Sequence, residues 1–177
     1  MSKEEKGSTP EAIAPVAEAR KSLFDRVAGY LDAADWSFQG FPEKGYMDLR
    51  ANVRDGNVRV VLDTWESEDW QRLIVYAIYP VRVPESRRPA VLDAINRINF
   101  RIAYGSFEMD GGEGELRIRT VVEAERDLPE PMMERALHAS LSTAGRYFAP
   151  LMAVIFGNAN PATVLDLESR ADGATVQ

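Results

Sequence analysis

The sequence predicts an α+β fold, a twisted antiparallel sheet of about five strands with helices packed mainly on one face. Three observations carry this. The apolar period changes along the chain in the order helix, three strands, helix, two strands, helix. Two glycine-bearing turns, Asp55-Gly56 and Gly111 to Gly114, each divide a pair of alternating apolar and polar runs. With 177 residues, 45% of them hydrophobic, the chain is long enough to bury one core and fits one domain.

Leu23, Val27, Tyr30, Leu31 and Ala34 recur at helical spacing, and the pattern stops at Trp36 and Gly40. Met47, Leu49, Ala51 and Val53 then alternate with Asp48, Arg50 and Asn52, as in a half-buried strand. With Asp55 and Gly56 as the loop, Val53 pairs with Val58, Ala51 with Val60 and Leu49 with Leu62, so core residues meet. The turn Glu66 to Asp69 sets Trp65 against Trp70, Asp63 against Arg72 and Leu62 against Leu73. The strand Gln71 to Tyr79 is apolar on both faces, with Leu73, Val75 and Ala77 on one and Ile74, Tyr76 and Ile78 on the other. That marks a central strand, ended by Pro80, Val83 and Pro84.

Residues 84 to 103 read as a second helix with Val91, Ile95, Ile98 and Ile102 along one face. A second hairpin follows, with its loop at 111 to 114, Phe107 opposite Ile118 and Glu108 opposite Arg117. After Leu128-Pro129 a third helix carries Met133, Leu137, Leu141, Ala144 and Phe148. Residues 150 to 156 form a short buried segment, and Asn160-Pro161 starts a last short helix. The domain spans 19 to 170. Residues 1 to 18, interrupted by Pro10 and Pro15, read as a disordered arm, and 171 to 177 as a disordered tail.

The composition excludes several chemistries. The chain has no cysteine and a single histidine, His138, which removes thiol nucleophiles, thiolate metal sites and His-rich centres. A net charge of -7 repels phosphate backbones, and no run approaches the roughly 18 apolar residues of a membrane span. Neither nucleic acid nor membrane is expected as a partner. The amino-terminal stretch lacks the apolar core of a signal peptide, so the expected location is the cytoplasm.

The segments Pro84-Glu85-Ser86-Arg87, Asn96-Arg97-Ile98-Asn99, Gly105-Ser106-Phe107-Glu108, Gly114-Glu115-Leu116-Arg117 and Tyr147-Phe148-Ala149-Pro150-Leu151 resemble those of the YbjN family. The resemblance covers roughly residues 20 to 168, and the order of elements is similar to the type III secretion chaperone fold. It implies a bacterial sensory-transduction regulator or chaperone-like protein, often a homodimer, with no established catalytic set. It also implies a subunit contact around the second helix and the strand after it.

The candidate chemical features fit that implication. The cluster Asp110 to Glu115 lacks calcium-loop spacing and reads as a hairpin turn, and His138 beside the third helix stripe is a boundary residue. Arginines 50, 54, 59, 72, 117 and 119 could form a basic stripe on the sheet, but Asp48, Asp63 and Glu108 fall on the corresponding faces, so ion pairing across strands accounts for them. Asn99, between Ile95 and Ile102, is expected to be buried, and with Asn96 to bind backbone at the helix-to-strand junction. No catalytic residue, cofactor or metal ligand is assigned.

The expected function is a noncatalytic protein-interaction module, chaperone-like or regulatory. Its partners are itself, as a homodimer, and an unidentified protein segment. The expected surface is Val61, Ile74, Tyr76, Ile78 and Val121, an apolar strip to be covered by a second subunit, by residues 150 to 156 or by a partner peptide. The alternative is a small hydrolase using Glu66, Glu68 and Asp69 beside Trp65 and Trp70, which needs a deep pocket holding two acids.

Overall fold

The structure, a computed structural model, describes residues 21–173; the expected arm and all but the first three residues of the expected tail lie outside them. The elements are α1 (Leu23–Ala33), β1 (Phe38–Phe41), β2 (Tyr46–Val53), β3 (Gly56–Glu66), β4 (Trp70–Arg82), α2 (Arg88–Asn99), β5 (Ser106–Met109), β6 (Glu115–Glu125), α3 (Glu130–Arg146), α4 (Phe148–Phe156) and α5 (Val164–Gly173). Six strands form one open antiparallel sheet in the order β1-β2-β3-β4-β6-β5. The sixth strand is β1, a four-residue edge strand too short to show alternation.

One face of the sheet is packed. Met47, Leu49, Val58, Val60, Leu62, Leu73 and Val75 alternate into a core with Leu23, Val27 and Leu31 of α1 and Met133, Leu137 and Leu141 of α3. Both helices are held on this face through Gln71, which is fully buried. Its Oε1 accepts from the Leu128 N–H at 2.8 Å and from the Arg26 guanidinium at 3.0 Å. Its amide donates to Glu66 Oε2 at 3.0 Å, and the same oxygen accepts from the Leu23 N–H, the first residue of α1, at 3.1 Å. Arg26 also donates to the Leu128 carbonyl. One side chain thus joins α1, the β3–β4 hairpin and the entry to α3.

Two hairpin registers differ from the sequence expectation by two residues. Val53 faces Gly56, Ala51 faces Val58 and Leu49 faces Val60, so Arg54 and Asp55 are the loop, with Asp55 at φ +66°. Likewise Leu62 faces Val75, Asp63 faces Ile74 and Trp65 faces Arg72. A slip of two keeps every side chain on its expected face, which is why alternation could not detect it. Gly56 serves packing, since a Cβ there would lie 2.2 Å from Phe148 Cζ. The β5–β6 register, Phe107 to Ile118 and Glu108 to Arg117, is as expected.

β4 continues through Pro80 to Arg82, and its pairing with β6 shifts between Ile78 and Arg82, where proline has no N–H to offer. Phe148 begins α4 instead of ending α3 and stacks on Tyr79 at 5.3 Å. The Tyr79 hydroxyl donates to the Ala144 carbonyl at 2.7 Å, and burial raises its pKa. Residues 150 to 156 lie within α4, which packs on α2 and α5 and not on the other sheet face.

α2 is shorter than expected and ends at Asn99, whose side chain turns to the backbone of β5. The Asn99 amide donates to the Phe107 carbonyl at 3.0 Å, and its Oδ1 accepts from the Phe107 N–H at 2.8 Å. Asn99 is half-buried; Asn96 is exposed and contributes its backbone carbonyl to Phe100 at 3.2 Å. Asp110 closes the next turn by accepting from Glu113 and Gly112, which holds its carboxyl below the usual range, Glu113 contributing most.

Two outcomes follow from these contacts. Gly29, where an added Cβ would have nothing within 4 Å, and Gly56 should respond in opposite directions to alanine. Gly29→Ala should stabilise by about 0.5–1 kcal/mol, and Gly56→Ala should destabilise by about 1–3 kcal/mol, in urea unfolding. Equal midpoints would refute the Phe148 contact. Asn99→Leu, which orphans the Phe107 N–H and carbonyl, should cost about 1–3 kcal/mol. Unchanged thermal unfolding would show that the junction does not depend on those bonds.

Candidate interaction surface on the open sheet face

Across the second face, residues of neighbouring strands fall into rows. Asp48, Val61, Tyr76, Arg119 and Ser106 form one, with Tyr46, Asp63, Ile74 and Val121 on one side of it and Arg50, Arg59, Ile78, Arg117 and Glu108 on the other. The five expected surface residues therefore adjoin. Val61, Ile74, Tyr76 and Ile78 are half-buried and Val121 is 41% exposed, so the strip is less bare than its composition suggests. Its own arginines cover part of it. The Arg117 guanidinium lies 4.6 Å from the Tyr76 ring centre, and Arg72 lies 5.2 Å from that of Trp65.

Ion pairs border the strip. Arg59 meets Asp48 at 2.5 Å, Glu108 receives both Arg117 at 3.1 Å and Arg119 at 2.5 Å, and Arg72 meets Glu123 at 3.5 Å. Such exposed pairs add about 0–1 kcal/mol each, so their main effect is to fix side-chain positions. Glu123 and Glu115 are partners that the sequence reading missed; the strand register was needed to find them. Asp63, expected against Arg72, lies opposite Ile74 instead. Among the described residues, Asp63 and Arg50 have neither an ion pair nor a side-chain hydrogen bond.

Between Tyr46 and Tyr76 lies a shallow trough of about 280 Å³, floored by Val61 and bounded by Asp63 and Arg59. Tyr46 is backed by Phe41, stacked at 4.7 Å. The trough can seat a flat or long-stemmed side chain, with Asp63 as an acceptor for a cation.

The carboxylates near the tryptophans do not assemble into the site the hydrolase reading needs. Glu66 points to the packed face, where it binds Leu23 and Gln71, while Trp65 and Trp70 are on the open face. The hollow of about 250 Å³ beside them contains one acid, Glu123, which faces Arg72. Among the described residues no group of His, Asp or Glu could hold a metal ion, and no helix is long and apolar enough to cross a membrane. His138 is exposed, its Nε2 3.4 Å from the Tyr30 hydroxyl. Away from the sheet, Leu92 is 50% exposed on α2 and Phe100 is 90% exposed just after it, two further apolar side chains open to solvent.

No curated protein matches the chain in sequence. A crystal structure of YbjN from E. coli is similar to it, with 15% identity over 76% of this chain and 90% of that one and a TM-score of 0.47. The model of the YbjN family, described as "Putative bacterial sensory transduction regulator", matches residues 23–152. The chain belongs to the YbjN family.

Proposed function

We propose that this chain is a noncatalytic regulatory module that acts by protein contact through the open sheet face, and that it forms a homodimer there. The observation that carries this is the strip of Val61, Ile74 and Tyr76 with its flanking arginines, left uncovered by the described residues while α1 and α3 pack on the other face. Aromatic residues and arginine over an apolar centre are the composition of interface cores. The central strands have 8 to 13 residues. At about 3.3 Å per residue and 4.8 Å between strands they make a face roughly 25 Å on a side, the scale of a standard interface. The family description as a regulator supports contact over catalysis.

Static light scattering at micromolar concentration should give a dimer mass, and Tyr76→Arg should give a folded monomer. A monomeric parent protein would contradict self-association and leave the strip to a partner protein segment held in a chaperone-like manner. A Tyr76→Arg protein that stays dimeric would move the contact to the α2 surface of Leu92 and Phe100.

A further inference from the structure

We infer that the second copy docks with its strands reversed, so that its Arg50 enters the trough between Tyr46 and Tyr76 and pairs with Asp63. This rests on the open face being the dimer surface. The starting observation is the charge inventory of the three rows. Asp48, Arg59, Glu108, Arg117 and Arg119 are paired within the chain, while among the described residues Arg50 and Asp63 are left over. They have opposite signs and stand on neighbouring strands, in rows on either side of the Val61–Tyr76 row.

A self-complementary interface must satisfy a two-fold axis, which maps each contact onto its reverse. For two sheets packed face to face, one such axis runs parallel to the sheets and across the strands, over the row of Asp48, Val61, Tyr76 and Arg119. The register then fixes what meets what. Tyr76 lies over Tyr76, Ile74 over Ile78, Asp63 over Arg59 and Tyr46 over Arg50. Arg59 is held by its own Asp48 through both Nε and Nη2, so the guanidinium free to serve Asp63 is Arg50. Arg50 is exposed, and from above Tyr46 it has one strand spacing, about 4.8 Å, to cross to reach Asp63. Its apolar stem would lie along the Tyr46 ring while the guanidinium reaches on to Asp63.

The alternative axis, parallel to the strands, exchanges the β3 and β6 sides. It lays Arg59 over Arg117, Val61 over Arg119 and Arg50 over Glu108, which already holds Arg117 and Arg119, and it leaves Asp63 against Val121. The crossed axis sets Asp48 and Arg119 over their own copies, each already paired within its chain, and of the two arrangements it is the one that gives Asp63 a cation. The two-fold makes the Arg50–Asp63 contact twice, which pins the register of the interface as well as its location.

The test is a charge-reversal cycle on the full chain, with dimer dissociation constants from sedimentation and thermal unfolding as the check of folding. Arg50→Asp and Asp63→Arg should each weaken the dimer by tenfold or more, with unfolding like the parent's. Asp63→Asn should weaken it less. The doubly reversed chain should recover most of the parent affinity, because the pair is restored with its signs exchanged. A parent dimer that neither single reversal weakens would overturn the pairing while leaving the dimer itself standing. So would single variants that weaken the dimer without recovery in the double. A parent that is monomeric throughout would overturn the dimer and the pairing together.

Discussion

The buried amide of Gln71 decides which side of this sheet is covered. Its oxygen takes the Leu128 N–H that leads into α3 and the Arg26 guanidinium of α1, and its nitrogen holds Glu66, which receives the first N–H of α1. A buried amide that satisfies partners from three segments is costly to disrupt, because each released group is left unpaired away from water. With both helices tied to that face, the opposite face has to be finished by side chains alone. The arginine–carboxylate borders, the guanidinium over Tyr76 and the half-buried strip are the consequence.

The second anchor lies at the other end of the packed face. Tyr79 reaches through the core to the Ala144 carbonyl, and Phe148 stacks on it while filling the space that Gly56 leaves open. Gly145 allows α3 to approach the β2–β3 loop, where a Cβ would stand 2.8 Å from the Arg54 nitrogen. These contacts seat the end of α3 and the start of α4 on the first hairpin, so α4 turns toward α2 and leaves the open face free.

Much of this was legible in the sequence, and the failures have definite causes. Alternation assigned Val61, Ile74, Tyr76, Ile78 and Val121 to one face, and a two-residue register error could not move them from it. The same error misassigned the partners of Arg72 and Asp63, because ion pairing depends on register and not only on face. Asn99 was legible as a polar residue on an apolar helical stripe. Gln71 carried the equivalent signal, a polar residue in phase with Leu73 and Val75, but it stood at a strand end where a polar residue is ordinary. β1, reading Phe-Gln-Gly-Phe, was too short to show a period. Glu66 was close to Trp65 and Trp70 in sequence, yet its carboxylate lies on the opposite face of the sheet from them.

The account stands on the open face being the surface that binds. Hydroxyl-radical footprinting read by mass spectrometry, at concentrations below and above association, tests this most directly because it reports each side chain separately. The account predicts that Tyr76, Ile74 and Val121 become protected as concentration rises, while Leu92 and Phe100 react equally throughout. Protection at Leu92 and Phe100 with an unchanged Tyr76 would contradict it and place the contact on α2.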